Sequence, residues 1–464
     1  MLSWKINFIK ENYILTKSQD TMDNKLWNRV RSKFIVDIII IGFLILSSQI
    51  IVSSISMYLL FFYILYRIMT IPIQFSLHYF LILVPNIGVT FIPGLPAPIL
   101  NILILFAIFR IVLLKNKFKI KINKILLLIS MMVIIYEWGH AFLYNSYNIL
   151  TLMGWTLTQI YILFIISSNN DESNHLLSIK YFVSGVMISS IVGLITNILE
   201  TGQIIDLNQS NVIDRFSGGA GDPNYYSLYI LISLFCLIML LNRKGVTLLN
   251  KALYYLIVFM LLMFGFMSLS RMYIIVLVFV SVIYFFRVIF SLKKYRKHKR
   301  FIVIFAILSV LFLMVFPKNI MNFIDLTISR FTMYESDLTL LTSGRNEIAE
   351  SSLEFIFSNY EFFYFGVGIQ DYGSRIGAGM GYAHNFILEL LLALGIIGTI
   401  LFLIYLFSIL IEVKSQSKNK KVSFIGALPL LCMAISYMSI NAIEVESFYL
   451  LLIFAFKHLF ISLD

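Results

Sequence analysis

The chain has 464 residues, 59% of them apolar and 13% charged, with a mean hydropathy of +0.89 and a formal net charge of +12. Apolar residues fall in blocks too long for the core helices of a water-soluble domain, which excludes a soluble enzyme and makes this a polytopic membrane protein. Only helices satisfy their own backbone hydrogen bonds that many times over in lipid, so the fold class is all-α.

Residues 1–33 are polar and charged, and the first apolar block follows Arg29, Arg31 and Lys33. It reads as a signal anchor, with the N-terminal segment 1–33 kept in the cytoplasm. Predicted spans then run over 34–52, 55–70, 75–92, 98–114, 124–142, 150–167, 178–198, 225–241, 250–268, 272–290, 301–316, 386–411, 422–440 and 447–462. About 12–14 transmembrane helices are expected. Pro93, Pro96 and Pro98 turn the chain between the third and fourth spans. The predicted organisation is a transmembrane bundle over 34–316 with an outer loop near 199–224, a large outer loop over 317–383, and C-terminal transmembrane helices over 384–464.

Charge tests this layout independently of hydropathy. In it, 30 of the 36 Lys and Arg lie on the cytoplasmic side, as the positive-inside rule requires. The net charge therefore follows from topology and gives no reason to expect nucleic acid as a partner. Six cations remain on the outer side: Arg215, Arg271, Lys318, Arg330, Arg345 and Arg375.

Cys236 and Cys432 sit in apolar surroundings inside spans and read as packing residues. No GxxxxGK[ST], GxSxG or HExxH motif is present, and nothing in the residue pattern calls for a metal or other cofactor.

The outer segments hold the chemistry. In GRNEIAESSLEFIF (344–357), Ala349, Leu353, Ile356 and Phe357 recur at helical spacing, with Glu347, Glu350 and Glu354 on another face. This predicts an amphipathic helix in the large outer loop. The glycine-rich connector 366–385 follows, and the whole loop reads as a lid or half of a cavity. Arg345 follows Ser343 and Gly344 at the helix start, where backbone amides and a guanidinium together favour an anion, or where Glu347 or Glu350 pairs it. His384 stands in the run AHN just before a span, as a proton acceptor or as a helix cap. Arg271 lies between two apolar blocks, where a charge costs at least about 2.5–3.5 kcal/mol, and it reads as functional or as a hairpin arginine that snorkels to the interface. Arg215 opens RFSGGAGDPN, with Asp214 and Asp222 as nearby carboxylates, and Pro223 and Asn224 read as helix entry.

Several outward arginines without a metal motif suit a diphosphate matched by guanidinium forks. In sugar transfer from a polyprenyl diphosphate the leaving group gains charge as the glycosidic bond breaks, so anion stabilisation matters more than a strong general acid. The acceptor hydroxyl still needs a base, and His384 is the best placed by sequence.

These residues resemble the O-antigen ligase and O-unit polymerase superfamily of bacterial glycan assembly. The pattern comprises R-F-x-G-x-x-x-D-P-N (Arg215 to Asn224), Ser270-Arg271, Ser343-Gly344-Arg345, Gly366 and Gly368, Ala383-His384-Asn385, and the later Gly395 and Gly398. It covers about 210–411, and Met272 stands where the usual Ser-Arg-Gly pattern has glycine. The resemblance implies a metal-independent, inverting glycosyltransferase in the cytoplasmic membrane with its active site on the outer face. Its donor would be an oligosaccharide on undecaprenyl diphosphate. Arg215, Arg271 and Arg345 would bind the diphosphate, His384 would be catalytic at the acceptor hydroxyl, and Asp222, Asn224, Tyr382 and Asn385 would support them. Flippase and chain-length regulator proteins are its candidate partners beside the lipid bilayer. The favoured activity is that of a repeat-unit polymerase of O-antigen, capsule or exopolysaccharide. A ligase onto lipid A core or protein is the alternative within the superfamily, and a transporter or flippase of lipid-linked sugars is the alternative of another class. Transport predicts charges buried mid-span and paired broken helices; Asp37, Arg110, Glu137 and Glu389 are the charges standing inside apolar blocks.

Overall fold

The computed structural model describes residues 33–51, 54–95, 97–113, 122–143, 148–167, 172–202, 215–243, 246–290, 345–370, 383–417, 420–443 and 445–461. The span expected at 301–316, the first part of the large outer loop, and Ser343, Gly344 and Tyr382 lie outside these residues. Among the described residues every regular element is helical.

The helices are α1 (Lys33–Ile50), α2 (Ser54–Thr70), α3 (Ser76–Leu83), α4 (Ile99–Leu113), α5 (Lys124–Leu143), α6 (Ile149–Ser167) and α7 (Glu172–Thr201). They continue with α8 (Pro223–Asn242), α9 (Leu248–Met267), α10 (Arg271–Phe290), α11 (Arg345–Ser358), α12 (Tyr360–Phe365), α13 (Phe386–Gln416), α14 (Phe424–Ser436) and α15 (Glu446–Leu459). Among the described residues seven helices, α1, α5, α6, α7, α8, α9 and α13, are long and apolar enough to cross a membrane; α2, α4 and α14 are apolar but shorter. The chain is an all-α polytopic membrane protein. Helix α8 is its central strut, buried along nearly its whole length and packed against α7, α9, α10 and α14.

Two expected spans take another form. Over 75–92 the chain makes only the eight-residue α3, bounded by 3-10 turns at Ile73–Phe75 and Val84–Asn86. Pro85 has no amide to donate to a continuing helix. The block ends where Gly88 meets the backbone of Ala220 and Gly221, an approach a side chain would obstruct. The second is α13, which breaks at Gly395, where φ is 62° and ψ −175°. Gly366 and Tyr364 lie against this position, and a Cβ on Gly395 would come within 2.5 Å of Gly366 N and Tyr364 C. The carbonyls of Leu392 and Ala393 instead accept from the amides of Val367 and Gly368, at 2.9 and 2.8 Å. A Gly395→Ala substitution forces a conformation that is almost glycine-only, costing about 1–3 kcal/mol, and adds a backbone clash of about 1–3 kcal/mol. The expected result is a much reduced folded yield and a lower Tm in detergent.

Buried charges in the bundle have fixed partners. The Asp37 carboxylate accepts from Tyr63 (2.5 Å), Arg67 (3.0 Å), Tyr79 (2.6 Å) and Tyr181 (2.8 Å). Arg110 donates to the Ile68 carbonyl. Glu137 accepts from the Ile369 amide at 2.8 Å and lies 3.3 Å from His140 Nδ1. Both cysteines are buried and free, as expected of packing residues.

The two ends of the bundle differ in charge. Arg67, Arg110, Lys124, Arg243, Arg287, Lys414 and Lys457 sit at or near helix ends on one side. At the other end converge the starts of α8, α10 and α13 and the end of α9.

Candidate functional site

The run from Arg215 to Asn224 folds as a compact turn. Gly218 and Gly221 take positive φ (57° and 81°), and the Gly219 amide donates to Ser189 Oγ at 2.8 Å. Phe216 stacks on Phe264 of α9 and meets the edge of Tyr226, which pins the turn to the bundle. Asp222 then caps α8: its carboxylate accepts from the Asn224 and Tyr225 amides at 2.7 and 3.1 Å, with Pro223 at the first helical position.

Asn224 is the hub of the arginine side. Its Oδ1 accepts from Arg215 at 2.9 Å and from Ser270 Oγ at 2.9 Å. Arg215 also donates to the Ser268 carbonyl, and Ser268 Oγ pairs with Ser227 Oγ at 2.8 Å. The turn before α8 is thereby locked to the α9–α10 hairpin, whose next residue is Arg271. Leu269 within that hairpin has φ 49°.

Arg345 opens α11 and is partly buried. Burial lowers its pKa, the charge of Arg271 lowers it further, and Asp222 acts in the opposite sense. Arg345, Arg271 and Asp222 therefore share one electrostatic neighbourhood. Glu347 and Glu350, the expected alternative partners, are exposed. The helix expected in this run forms, and its apolar residues divide between two surfaces. Ser352 and Ile356 are the buried residues of this helix, while Leu353 and Phe357 are 39% and 65% exposed. The helix lies along α12 and α13 with Ser352 and Ile356 inward, and apolar Leu353 and Phe357 point away from the protein.

His384 is half-buried and has φ 49°; with Leu269 it is one of two non-glycine residues at positive φ among the described residues. Such conformations cost about 1–3 kcal/mol and persist where their surroundings enforce them. Burial lowers the imidazole pKa, Arg345 lowers it further and Asp222 raises it. The helix cap is Asn385, whose Oδ1 accepts from the Ile387 and Leu388 amides at 3.0 and 3.3 Å. His384 itself is left outside the capping bonds.

The structure thus brings Arg215, Asp222, Asn224, Arg271, Arg345, His384 and Asn385 to one end of the bundle. Two guanidiniums held as neighbours in a partly desolvated place repel each other, and an anion between them relieves that cost. The N-termini of α8, α10, α11 and α13 add partial positive charge at the same end. Among the described residues no group of three or more His, Cys, Asp or Glu could hold a metal ion.

Sequence reasoning missed the bridging role of Asn224, which read as helix entry, and the role of Glu389. Glu389 is fully buried in the first turn of α13 and accepts from the Ala442 and Ile443 amides at 2.8 and 3.2 Å. The signal was a carboxylate five residues past His384 in an apolar block, but its partners are more than fifty residues away.

No curated protein and no solved structure matches the chain. Residues 255–403, from α9 through the break in α13, match the family described as O-antigen ligase.

Proposed function

We propose that the protein is a glycosyltransferase that polymerises lipid-linked glycan repeats at the outer face of the cytoplasmic membrane. The observation that carries this reading is the shared neighbourhood of Arg345, Arg271, Asp222 and His384 at the end of the bundle opposite the cation-rich one. Cations mark the cytoplasmic side, so the candidate site faces outward.

In the proposed reaction Arg215, Arg271 and Arg345 hold the diphosphate of a polyprenyl-linked donor. The acceptor hydroxyl attacks the anomeric carbon from the face opposite the diphosphate and inverts it. The new C–O bond forms as the bond to the phosphate oxygen breaks. The guanidiniums take up the charge that develops on the leaving group. His384 receives the hydroxyl proton; the lowered pKa leaves its imidazole neutral and able to do so. Asp222, Asn224 and Asn385 fix the helix starts, and Tyr382 is assigned a supporting place. The donor is assigned as undecaprenyl diphosphate-linked oligosaccharide and the acceptor as another lipid-linked repeat. The large loop over 317–383 is the proposed substrate-facing element.

A transport reading gains little from the buried charges. Asp37, Glu137 and Glu389 are each occupied by protein donors, whereas an ion path needs exchangeable ones. The break at Gly395 is filled by the backbone of residues 366–368.

The test uses purified protein in nanodiscs with a lipid-linked repeat unit and a chelator, following diphosphate lipid release and product size. A ladder of longer lipid-linked glycans is the expected result. Reaction only after a lipid A core or protein acceptor is added makes it a ligase. Inertness with all acceptors sinks the transferase reading.

A further inference from the structure

Resting on the transferase reading, we infer that Glu389 is a positioning residue that fixes His384 relative to the diphosphate arginines. A buried carboxylate in an apolar helix is expensive and calls for a purpose beyond packing. Glu389 spends both oxygens on one loop: Oε2 accepts from Ala442 N at 2.8 Å and Oε1 from Ile443 N at 3.2 Å. Three residues earlier in the same helical turn, the Phe386 amide donates to the Tyr437 carbonyl of that loop at 3.0 Å. The loop between α14 and α15 is therefore held at both ends by the first turn of α13, directly after His384 and its capping neighbour Asn385.

The loop is also tied to the arginine side. Tyr225 of α8 donates its hydroxyl to the Asn441 carbonyl at 2.9 Å. Tyr225 adjoins Asn224, which holds Arg215 and Ser270. A continuous path runs from Asn224 and Tyr225 through Asn441 to Ala442 and Ile443, and from their amides to Glu389 and the start of α13. His384 and Arg215 stand at opposite ends of this path. The loop lies outside both the stretch that carries the family pattern and the residues matched to the family, so neither draws attention to it. The strained φ of His384 fits the same account, because a left-handed residue keeps its place only if the element after it is rigid.

Glutamine keeps the shape of Glu389 but offers one acceptor oxygen, and its amide nitrogen would face a backbone donor. One of the two loop bonds is then lost. In nanodiscs Glu389→Gln is expected to lower kcat by about 10- to 100-fold, the effect of a small misplacement of a reacting group. Donor KM and Tm are expected to stay near wild type. The acid limb of the pH profile is expected to stay where it is, since the charges acting on His384 are Arg345 and Asp222. Tyr225→Phe, which cuts the same path at its other end, is expected to lower kcat as well, and the double variant to lose less than the product of the two single losses.

A second readout does not need turnover. Modification of His384 by diethylpyrocarbonate, followed by peptide mass spectrometry, is expected to be several-fold faster in Glu389→Gln than in wild type, as its place loosens. Unchanged kcat in a variant that binds and melts normally overturns the proposal, as does an unchanged modification rate. A raised donor KM with kcat intact assigns Glu389 to binding instead, and a shifted acid limb assigns it a direct electrostatic effect on His384. If wild-type protein is inert with every acceptor, the transferase reading fails and the modification rates alone decide whether Glu389 holds His384.

Discussion

Replacing Arg345 by alanine is expected to abolish polymer formation while the protein still inserts and accumulates. Arg345 stands at an exposed helix start and its side chain is only partly covered, so its loss opens no core cavity. What is lost is one of the charges facing the departing diphosphate. In a water-poor site, removal of one such donor costs about 100- to 1000-fold in rate. The same loss is expected for Arg271→Ala. Since the two guanidiniums repel each other in the free protein, each single alanine also removes an unfavourable term, so stability is not expected to fall. Lysine at 345 keeps the charge but not the fork, and poor rescue is the expected outcome for a bidentate contact. Turnover of lipid-linked donor beside protein abundance and Tm separates these cases. Wild-type chain length in either alanine variant removes that arginine from the site.

His384→Ala is expected to lose about 100- to 10 000-fold in turnover, the range for a general base, while donor diphosphate binding persists. Asparagine is the sharper probe, because it tolerates the left-handed backbone that His384 adopts yet accepts no proton at neutral pH. The two variants should be equally inactive, and Asn should melt closer to wild type. The pH dependence has a definite sign. Turnover needs the neutral imidazole, so the rate falls when acid protonates it. Burial and Arg345 lower the pKa, which moves the acid limb of kcat/KM below the usual histidine value of about 6.5. A bound diphosphate brings negative charge near the imidazole and raises its pKa, so the acid limb of kcat lies at higher pH than that of kcat/KM. Turnover independent of residue 384 would remove His384 from the chemistry.

Much of this was legible in the sequence. The apolar blocks gave the all-α membrane class because lipid leaves few backbone solutions. The short runs around Arg215, Arg271, Arg345 and His384 stood out because arginine is rare on the less cationic side. Helix entry at Pro223 and Asn224 was also readable, whereas the cap expected at His384 is made by its neighbour Asn385, and Asp222, considered as a partner of Arg215, caps α8. Five things were not legible. The span over 75–92 collapsed to eight residues because its packing against the turn before α8 is a tertiary contact. The buried face of α11 takes Ser352 and Ile356 and leaves Leu353 and Phe357 exposed, because the neighbours that cover it, α12 and α13, are set by tertiary packing. The break at Gly395 depends on Gly366 arriving from the connector, which no local pattern reveals. Glu389 and Asn224 belong with these, their partners being fixed by topology.

The seam between residues 366–370 and the bundle bears on how this protein can be rebuilt. Val367, Ile369 and Gln370 are buried, Glu137 holds the Ile369 amide, and Tyr136 and His140 both engage the Phe365 carbonyl. Any exchange of the outer loop with that of a related protein, cut at the conspicuous Ala383 boundary, would replace these anchoring residues with foreign ones. A foreign segment that does not repeat this main-chain path, or that brings proline to position 369, leaves Glu137 without this amide inside the bundle, at a cost of about 1–3 kcal/mol or more for a charged group. Grafts joined before Tyr360 carry the same hazard unless the donor loop supplies its own equivalents. The modular unit for swapping specificity is therefore shorter than the loop: it ends before Tyr360 and resumes after Gln370, with α12 and the seam retained from the host.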